Sequence, residues 1–375
     1  QTEESTQLTG ETFYLVKSNF EKQFQLIDSL ILDENLDYST NERDRISALE
    51  IVTSILNSDS ENRLALIKKG EIYTLLEDYD NALNIYNKVV ESNPNDPVCY
   101  MYRGYLYSSY PEEFDNAFNN ALNDFNQSLK IDSMYRSSYS NRADVYLELE
   151  DYEKALADYT KAIDLDKVNP RRYDKRADCY TAMEKYTNAL KDYDKAIDLA
   201  PEDPRYYNNR ADFLKIQENY DEALKDYATA IKISTDDWQT ARAINNRALI
   251  YETQKNYELA IEEYTKGLLI ENYLLLFENR ADVYLELEDY ENALIDYNHL
   301  VDNDPQNVQY LLDRSDCLEE MEKFDLAIND LNKVLRIDSL SDEAYYQKSI
   351  INWIDLERTD LGILDMSNAI KINPT

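Results

Sequence analysis

The stretch NRADVYLELEDYEKALADY at residues 141–159 returns as NRADVYLELEDYENALIDY at residues 279–297, identical at 17 of 19 positions. An Arg beside an Asp, found twice, invites two readings: a catalytic signature used twice, or a building unit copied. Periodicity decides between them. Ala143, Tyr146, Ala155, Tyr159 and Ala162 recur 34 residues on as Ala177, Tyr180, Ala189, Tyr193 and Ala196. They recur 34 further on as Ala211, Leu214, Ala223, Tyr227 and Ala230. Looser versions precede and follow, giving nine units that start near 63, 97, 136, 170, 204, 241, 274, 308 and 342. The two copies of NRADVYLELEDYE lie 138 residues, or four repeat lengths, apart and occupy the same places in their units.

Each unit reads as two amphipathic helices, A and B, with small residues where helices approach closely and aromatic rings beside them. Leu147-Glu148-Leu149-Glu150-Asp151 carries the turn between A and B. Asp96-Pro97, Asn169-Pro170 and Asp203-Pro204 each set an N-cap before a proline at the first helical position. Pro94, Pro201, Pro305 and Pro374 follow the expected ends of B helices, which proline cannot continue. With only 5 Gly and 8 Pro in 375 residues, the chain suits helices joined by short connections.

This pattern resembles the tetratricopeptide repeat (TPR) family over residues 63–375. In that family's 34-position register Ala143 takes slot 8, Tyr146 slot 11, Ala155 slot 20, Tyr159 slot 24 and Ala162 slot 27. The resemblance implies an all-α fold, a right-handed superhelical α-solenoid of TPR helix pairs. Its A helices would line a concave groove that holds a peptide or a partner protein. Four units depart from the register. Unit 97 carries five extra residues around Tyr110-Pro111-Glu112-Glu113, expected as a longer B helix or the loop before it. Unit 204 ends with three extra around Asp236-Asp237-Trp238, unit 241 is one short, and the last unit has one extra between its helices. Residues 1–62 are expected to cap the array as a degenerate repeat, with helices over Phe13–Leu32 and Asp44–Asn57 and a frayed start over 1–9.

Thirty-nine basic against 75 acidic side chains give a formal charge of −36, so nucleic acid and anionic membrane are poor partners. No apolar run approaches the ~18 residues of a spanning helix, so membrane insertion is not expected. The chain begins at Gln1 without a basic or apolar leader pattern. The expectation is a soluble protein, cytoplasmic or exported with its leader removed.

The NRAD motif varies as KRAD (175–178), NRAL (246–249) and DRSD (313–316), and a catalytic pair is not needed six times in one chain. Arg142, Arg176, Arg210, Arg247, Arg280 and Arg314 fall in slot 7. Asp124, Asp158, Asp192, Asp226, Glu263, Asp296 and Asp330 fall in slot 23. An Arg on each A helix and an acid on each B helix read as a structural ladder, and exposed rungs would contribute only ~0–1 kcal/mol each. Gly70, Gly104, Gly267 and Gly362 occupy packing slots and cannot cradle a phosphate together. The single histidine, His299, and the cysteines Cys99, Cys179 and Cys317 form no metal cluster. No cofactor, no metal and no enzymatic activity are expected. Most of the 33 tyrosines fall in packing slots.

The resemblance turns slots 2, 5, 9, 12 and 13 of helix A into the groove. Slot 2 supplies Arg171, Arg205 and Arg242, slot 5 supplies Asn208 and Asn245, and slot 12 supplies Lys215. Such a set suits forked binding of carboxylates or peptide backbone, unless Asp174, Asp178 and Asp212 neutralise it. The family's chaperone-binding members clamp a terminal carboxylate with Lys and Asn in slots 5 and 9. Slot 9 here is Asp144, Asp178, Asp212, Leu249 and Asp282, so that clamp is not intact. Towards the C-terminus the groove slots turn apolar: Leu249, Leu275, Leu312, Tyr346, Ile350 and Trp353. Leu361, Ile363, Leu364, Met366, Ile370 and Ile372 exceed one buried stripe, and an exposed apolar end marks a partner or self-association surface. The expected function is a non-enzymatic scaffold binding a protein or peptide partner. The alternative is a structural subunit of an oligomer or envelope-associated assembly, docked through its last helix.

Overall fold

A computed structural model describes residues 10–31 and 38–374, and the expectation for 1–9 lies outside them. The described residues are helical throughout, without strands. They form two compact units, the first ending at Ala196 and the second beginning at Ile197.

In the first unit helices follow as antiparallel neighbours. α1 (Gly10–Ile31) packs on α2 (Tyr38–Ser58), α3 (Arg63–Leu75) on α4 (Tyr79–Ser92), α5 (Pro97–Ser109) on α6 (Ala117–Ile131), and α7 (Arg136–Glu148) on α8 (Tyr152–Leu165). α9 (Pro170–Ala182) follows, then α10 (Tyr186–Leu199), within which this unit ends. The second unit pairs α11 (Pro204–Ile216) with α12 (Tyr220–Ile233), α13 (Asp237–Thr253) with α14 (Tyr257–Leu268), and α15 (Leu274–Glu286) with α16 (Tyr290–Asn303). α17 (Val308–Glu320) pairs with α18 (Phe324–Ile337) and α19 (Asp342–Ile350) with α20 (Thr359–Ile372).

The turn between A and B reuses one left-handed residue. Glu77, Asn116, Glu150, Glu184, Glu218, Lys255, Glu288, Glu322 and Glu357 all have positive φ, between 54° and 59°. Each takes slot 15; Asn116, after the inserted loop, directly precedes α6, and the others close their A helices. In the duplicated stretch the Asp151 N–H reaches back to the Tyr146 carbonyl (2.8 Å) and the Glu150 N–H to that of Leu147 (2.9 Å). These bonds satisfy the last carbonyls of α7 in a Schellman arrangement. Asp151 then caps α8, its carboxylate accepting from the Lys154 N–H, and Asp78 and Asp289 do the same for α4 and α16.

The insertions resolve differently. The five extra residues of unit 97 form a short 3₁₀ turn (Pro111–Glu113) and loop before α6, not a longer B helix. The extra residues at 236–238 extend α13 by a turn at its start, capped by Asp236. The extra residue of the last unit is absorbed as a π-helical turn, Ile351–Asp355.

Packing follows the small-next-to-large rule. A Cβ on Gly70 would lie 2.6 Å from the Tyr86 ring, so only glycine lets α3 meet that ring. Tyr159, Tyr227, Tyr264 and Tyr297, all in slot 24, are essentially fully buried beside Ala143, Ala211, Ala248 and Ala281.

Candidate functional site

The ladder binds each A helix to its own B helix. Arg142 donates through Nε and Nη2 to both oxygens of Asp158 (2.7 and 2.8 Å), and Arg280 does the same to Asp296 (2.8 and 2.7 Å). Arg176–Asp192, Arg210–Asp226, Arg247–Glu263 and Arg314–Asp330 repeat the pair. Arg103–Asp124 adds a further rung, its separation stretched from 16 to 21 by the five-residue insertion. The third arm reaches the preceding B helix: Arg103 to Asn87 (2.8 Å), Arg176 to Thr160 (3.3 Å), Arg314 to Asn298 (3.0 Å). Each of these three arginines therefore joins three helices. The rungs are not exposed: the Asp296 side chain is 1% accessible and that of Arg280 15%. Burial pushes the Asp124 carboxyl up against the opposing pull of Arg103, so these pairs carry a desolvation cost that surface pairs lack.

A second series crosses from slot 24 to slot 9. The Tyr193 hydroxyl donates to Asp178 (2.8 Å) and that of Tyr297 to Asp282 (2.8 Å), while Tyr159 and Tyr227 donate to Asp144 and Asp212. Where slot 9 is Leu249, Tyr264 turns to Glu252 instead (3.0 Å). Burial, with the facing carboxylate, drives these phenols far above their usual range. The groove aspartates thus point inward first.

Slot 5 is closed inside the array. Asn208 and Asn245 in the second unit are buried, as is Leu312, because the next A helix covers that position. Asn245 accepts from Asn279 on the following A helix (2.7 Å). Asn208 makes no side-chain hydrogen bond among the described residues. Leu249, Leu275 and Ile350 are half-buried. Of the slot-5 and apolar groove residues named from sequence, Tyr346 and Trp353 stand well exposed, as do Leu361, Ile363, Leu364 and Ile370 of the last helix.

The slot-2 arginines are engaged. In the first unit Arg171 donates to Asp144 (2.7 Å). In the second, Arg242 donates to Asp212 (2.6 Å), and Arg205 turns back on its own cap, Asp203 (2.6 Å). Burial lowers the Lys215 amine, Asp212 opposing and Arg242 reinforcing that shift. Arg171 remains half exposed and borders a cleft of about 470 Å³. The cleft lies where the loop before α6 parts the wall. Tyr105, Ser108, Pro111 and Phe118 form one side, Asn141, Asp144 and Leu147 the floor, and Arg171 and Lys175 the other side. Glu112 and Glu148 stand at its edge. Tyr105 occupies slot 9 here because its slot-24 neighbour is Phe125, which has no hydroxyl to satisfy an aspartate.

The second unit carries a feature that composition masked. Glu278 and Asp282 on α15, Asp313 and Asp316 on α17 and Glu343 on α19 have no ion-pair partner among the described residues. Burial, then Asp282, Glu278 and Glu343, raise Asp313 to about 6, while Gln309 opposes the shift. Burial, then Glu319, Asp313, Glu343 and Glu320, raise Asp316 to about 7. Asp316 is a slot-9 aspartate facing Leu331, so the tyrosine hydroxyl that serves its counterparts is missing.

The cysteines and the histidine sit in packing environments. Burial pushes the thiols up, Cys99 and Cys317 to about 11 and Cys179 to about 12, which suits packing. His299 stacks on Phe277 with ring centroids 4.0 Å apart. No helix of the described residues is long and apolar enough to cross a membrane.

Comparison with known proteins agrees with this geometry. Tetratricopeptide repeat models match residues 65–96, 137–167, 202–268 and 279–342, and a TPR repeat model matches 177–215. No curated protein sequence matches the chain. A tetratricopeptide repeat protein from Parabacteroides merdae superposes over 72% of this chain and 98% of its own, at 20% identity and a TM-score of 0.52. Pseudomonas aeruginosa PilF covers 56% of this chain and 94% of its own at 24% identity and a TM-score of 0.45. The first of these likenesses extends to the fold alone. The matched segments recur along most of the array, and the helix pairs pack small slots against slot-24 rings: this chain belongs to the tetratricopeptide repeat family.

Proposed function

We propose that the protein is a non-enzymatic scaffold that holds an extended peptide in the cleft of its first unit and a partner on the apolar face of its last helix pair. The family supports a protein-interaction role in general. The observation that carries the finer reading is the cleft itself. It sits at the one long insertion between the helices of a pair, and it sets a half-exposed cation, Arg171, opposite exposed Tyr105. Arg171 spends Nη2 on Asp144, and a guanidinium has five N–H donors. Its remaining donors, with Lys175, suit a peptide carboxylate and backbone carbonyls. Tyr105, Phe118 and Leu147 suit an apolar side chain, and Glu112 and Glu148 suit a basic end. Arg205 and Arg242 offer weaker versions of this chemistry in the second unit, since Arg205 commits both Nε and Nη2 to Asp203 and Arg242 is less exposed than Arg171.

The test is selection of peptides from a displayed library on the full chain, followed by affinity measurement against Arg171→Glu/Lys175→Glu. Selected peptides should carry an acidic residue and lose at least about tenfold in affinity for the variant. Undiminished binding would sink the reading.

A further inference from the structure

We propose that the loop inserted before α6 builds a second subsite beside the cleft of the first unit, and that this subsite takes an aromatic side chain of the same peptide. This rests on the reading of the cleft as a peptide site and names what the ligand carries besides its acid.

The loop is a built wall. The Tyr110 ring packs on Tyr79 of α4 with centroids 4.5 Å apart, and Phe114 meets Tyr107 of α5 edge-on at 5.3 Å. Tyr110 and Phe114 also pack against the core of Ala82, Tyr86 and Leu106. The Glu113 N–H closes the 3₁₀ turn on the Tyr110 carbonyl (3.2 Å), and the Asn120 amide donates to the Asp115 carbonyl (3.1 Å). Beside this wall lies a second cavity of about 310 Å³. Pro111 and Phe118 line both it and the cleft, so the two spaces share a partition. A site held in place by its own packing spends little of a ligand's binding energy on ordering.

The lining selects the guest. Pro111, Phe114, Ala117, Phe118 and Leu149 are apolar, and Asn116 and Asn119 bring the polar side chains. Two phenylalanine rings suit an aromatic side chain, met offset or edge-on. The volume stands at the lower end of ligand pockets, which run from about 300 Å³, and so suits one large side chain. The end of α7 ties the two spaces together: Leu147 and Glu148 line the cleft, and the next residue, Leu149, lines the second cavity. A peptide held at Arg171 and running past that end meets both. The duplicated stretch isolates what the insertion adds. Leu149 is 47% exposed and its twin Leu287 43%, in the same slot of the same sequence. Unit 241, which precedes Leu287, has no inserted loop, so Pro111 and Phe114 have no counterpart there.

The experiment uses the full chain and displayed peptides selected on it. Selected sequences should carry an aromatic residue at a constant distance from the acidic one. One such peptide is then made synthetically, with a twin in which Ala replaces the aromatic residue, and both are followed by fluorescence anisotropy. The twin should bind the parent chain about tenfold or more weakly. Leu149→Ser removes one wall, and Asn119→Trp fills the cavity from an exposed position. Each should weaken the aromatic peptide by a similar factor and leave the Ala twin unchanged, with helicity and thermal midpoint held. Leu287→Ser should change neither peptide. Acid-bearing peptides without a constant aromatic residue overturn the subsite and leave the cleft standing. So do variants that weaken both peptides equally, or a loss on Leu287→Ser equal to that on Leu149→Ser. Peptides indifferent to Arg171→Glu/Lys175→Glu sink the cleft, and the subsite with it, so the two failures are read separately.

Discussion

The two units are built from the same pairs of helices and differ in how they settle the charge of their A helices. In the first unit the slot-9 carboxylates are answered: Asp144 receives Tyr159 and Arg171, and Asp178 receives Tyr193 and Lys175. In the C-terminal part of the second, Asp282 receives a tyrosine alone, and Asp316 faces Leu331. The ladder is common to both, so it fixes helix pairing everywhere. The concave slots vary, so recognition is free to differ between the units. The duplicated NRADVYLELEDYE shows the same division: its Arg142 and Arg280 make identical rungs, while their surroundings bear Ser140 in one copy and Glu278 in the other.

Four measurements would break or sharpen this contrast. The largest effect is expected from the shared part. Asp158→Ala and Asp296→Ala each strand a mostly buried guanidinium and should each destabilise their unit by about 3–5 kcal/mol in urea unfolding. A loss confined to one unit would show that the ladder is not the common element.

Next comes the unanswered part. Asp313 and Asp316 have folded pKa values above the unfolded range, so the native state binds more protons than the unfolded state between about pH 4 and pH 7. Stability should therefore rise as pH falls through that window. Asp316→Asn should raise the thermal midpoint near pH 7.5 and flatten the slope. A midpoint that falls steadily from pH 7 to pH 5 in the parent chain would contradict the assignment.

Smaller effects concern the tyrosine series. Tyr159→Phe removes the hydroxyl donated to Asp144 and should cost about 1 kcal/mol, whereas Phe125 shows that a ring without it packs well where slot 9 is Tyr105. Pairing Tyr159→Phe with Asp144→Leu should recover part of that loss in a double-mutant cycle. Smallest of all, Glu150→Gly or Glu288→Gly relieves a left-handed residue at the A-to-B turn and should stabilise by at most about 1 kcal/mol in either unit.

The 34-residue recurrence of small and aromatic residues determined the all-α repeat architecture, the turn positions and the partners of the ladder. Each of these is local or lies at a fixed separation, so a linear pattern can carry it. Where slot 5 points, which arginine stays accessible and which carboxylates lack cations were decided by tertiary structure. A neighbouring A helix closes slot 5 over Asn208, Asn245 and Leu312. The loop before α6 opens a cleft at Arg171. Leu331 in place of a tyrosine leaves Asp316 unanswered. These outcomes depend on which side chain of one repeat meets which of the next, and on the water that the meeting excludes.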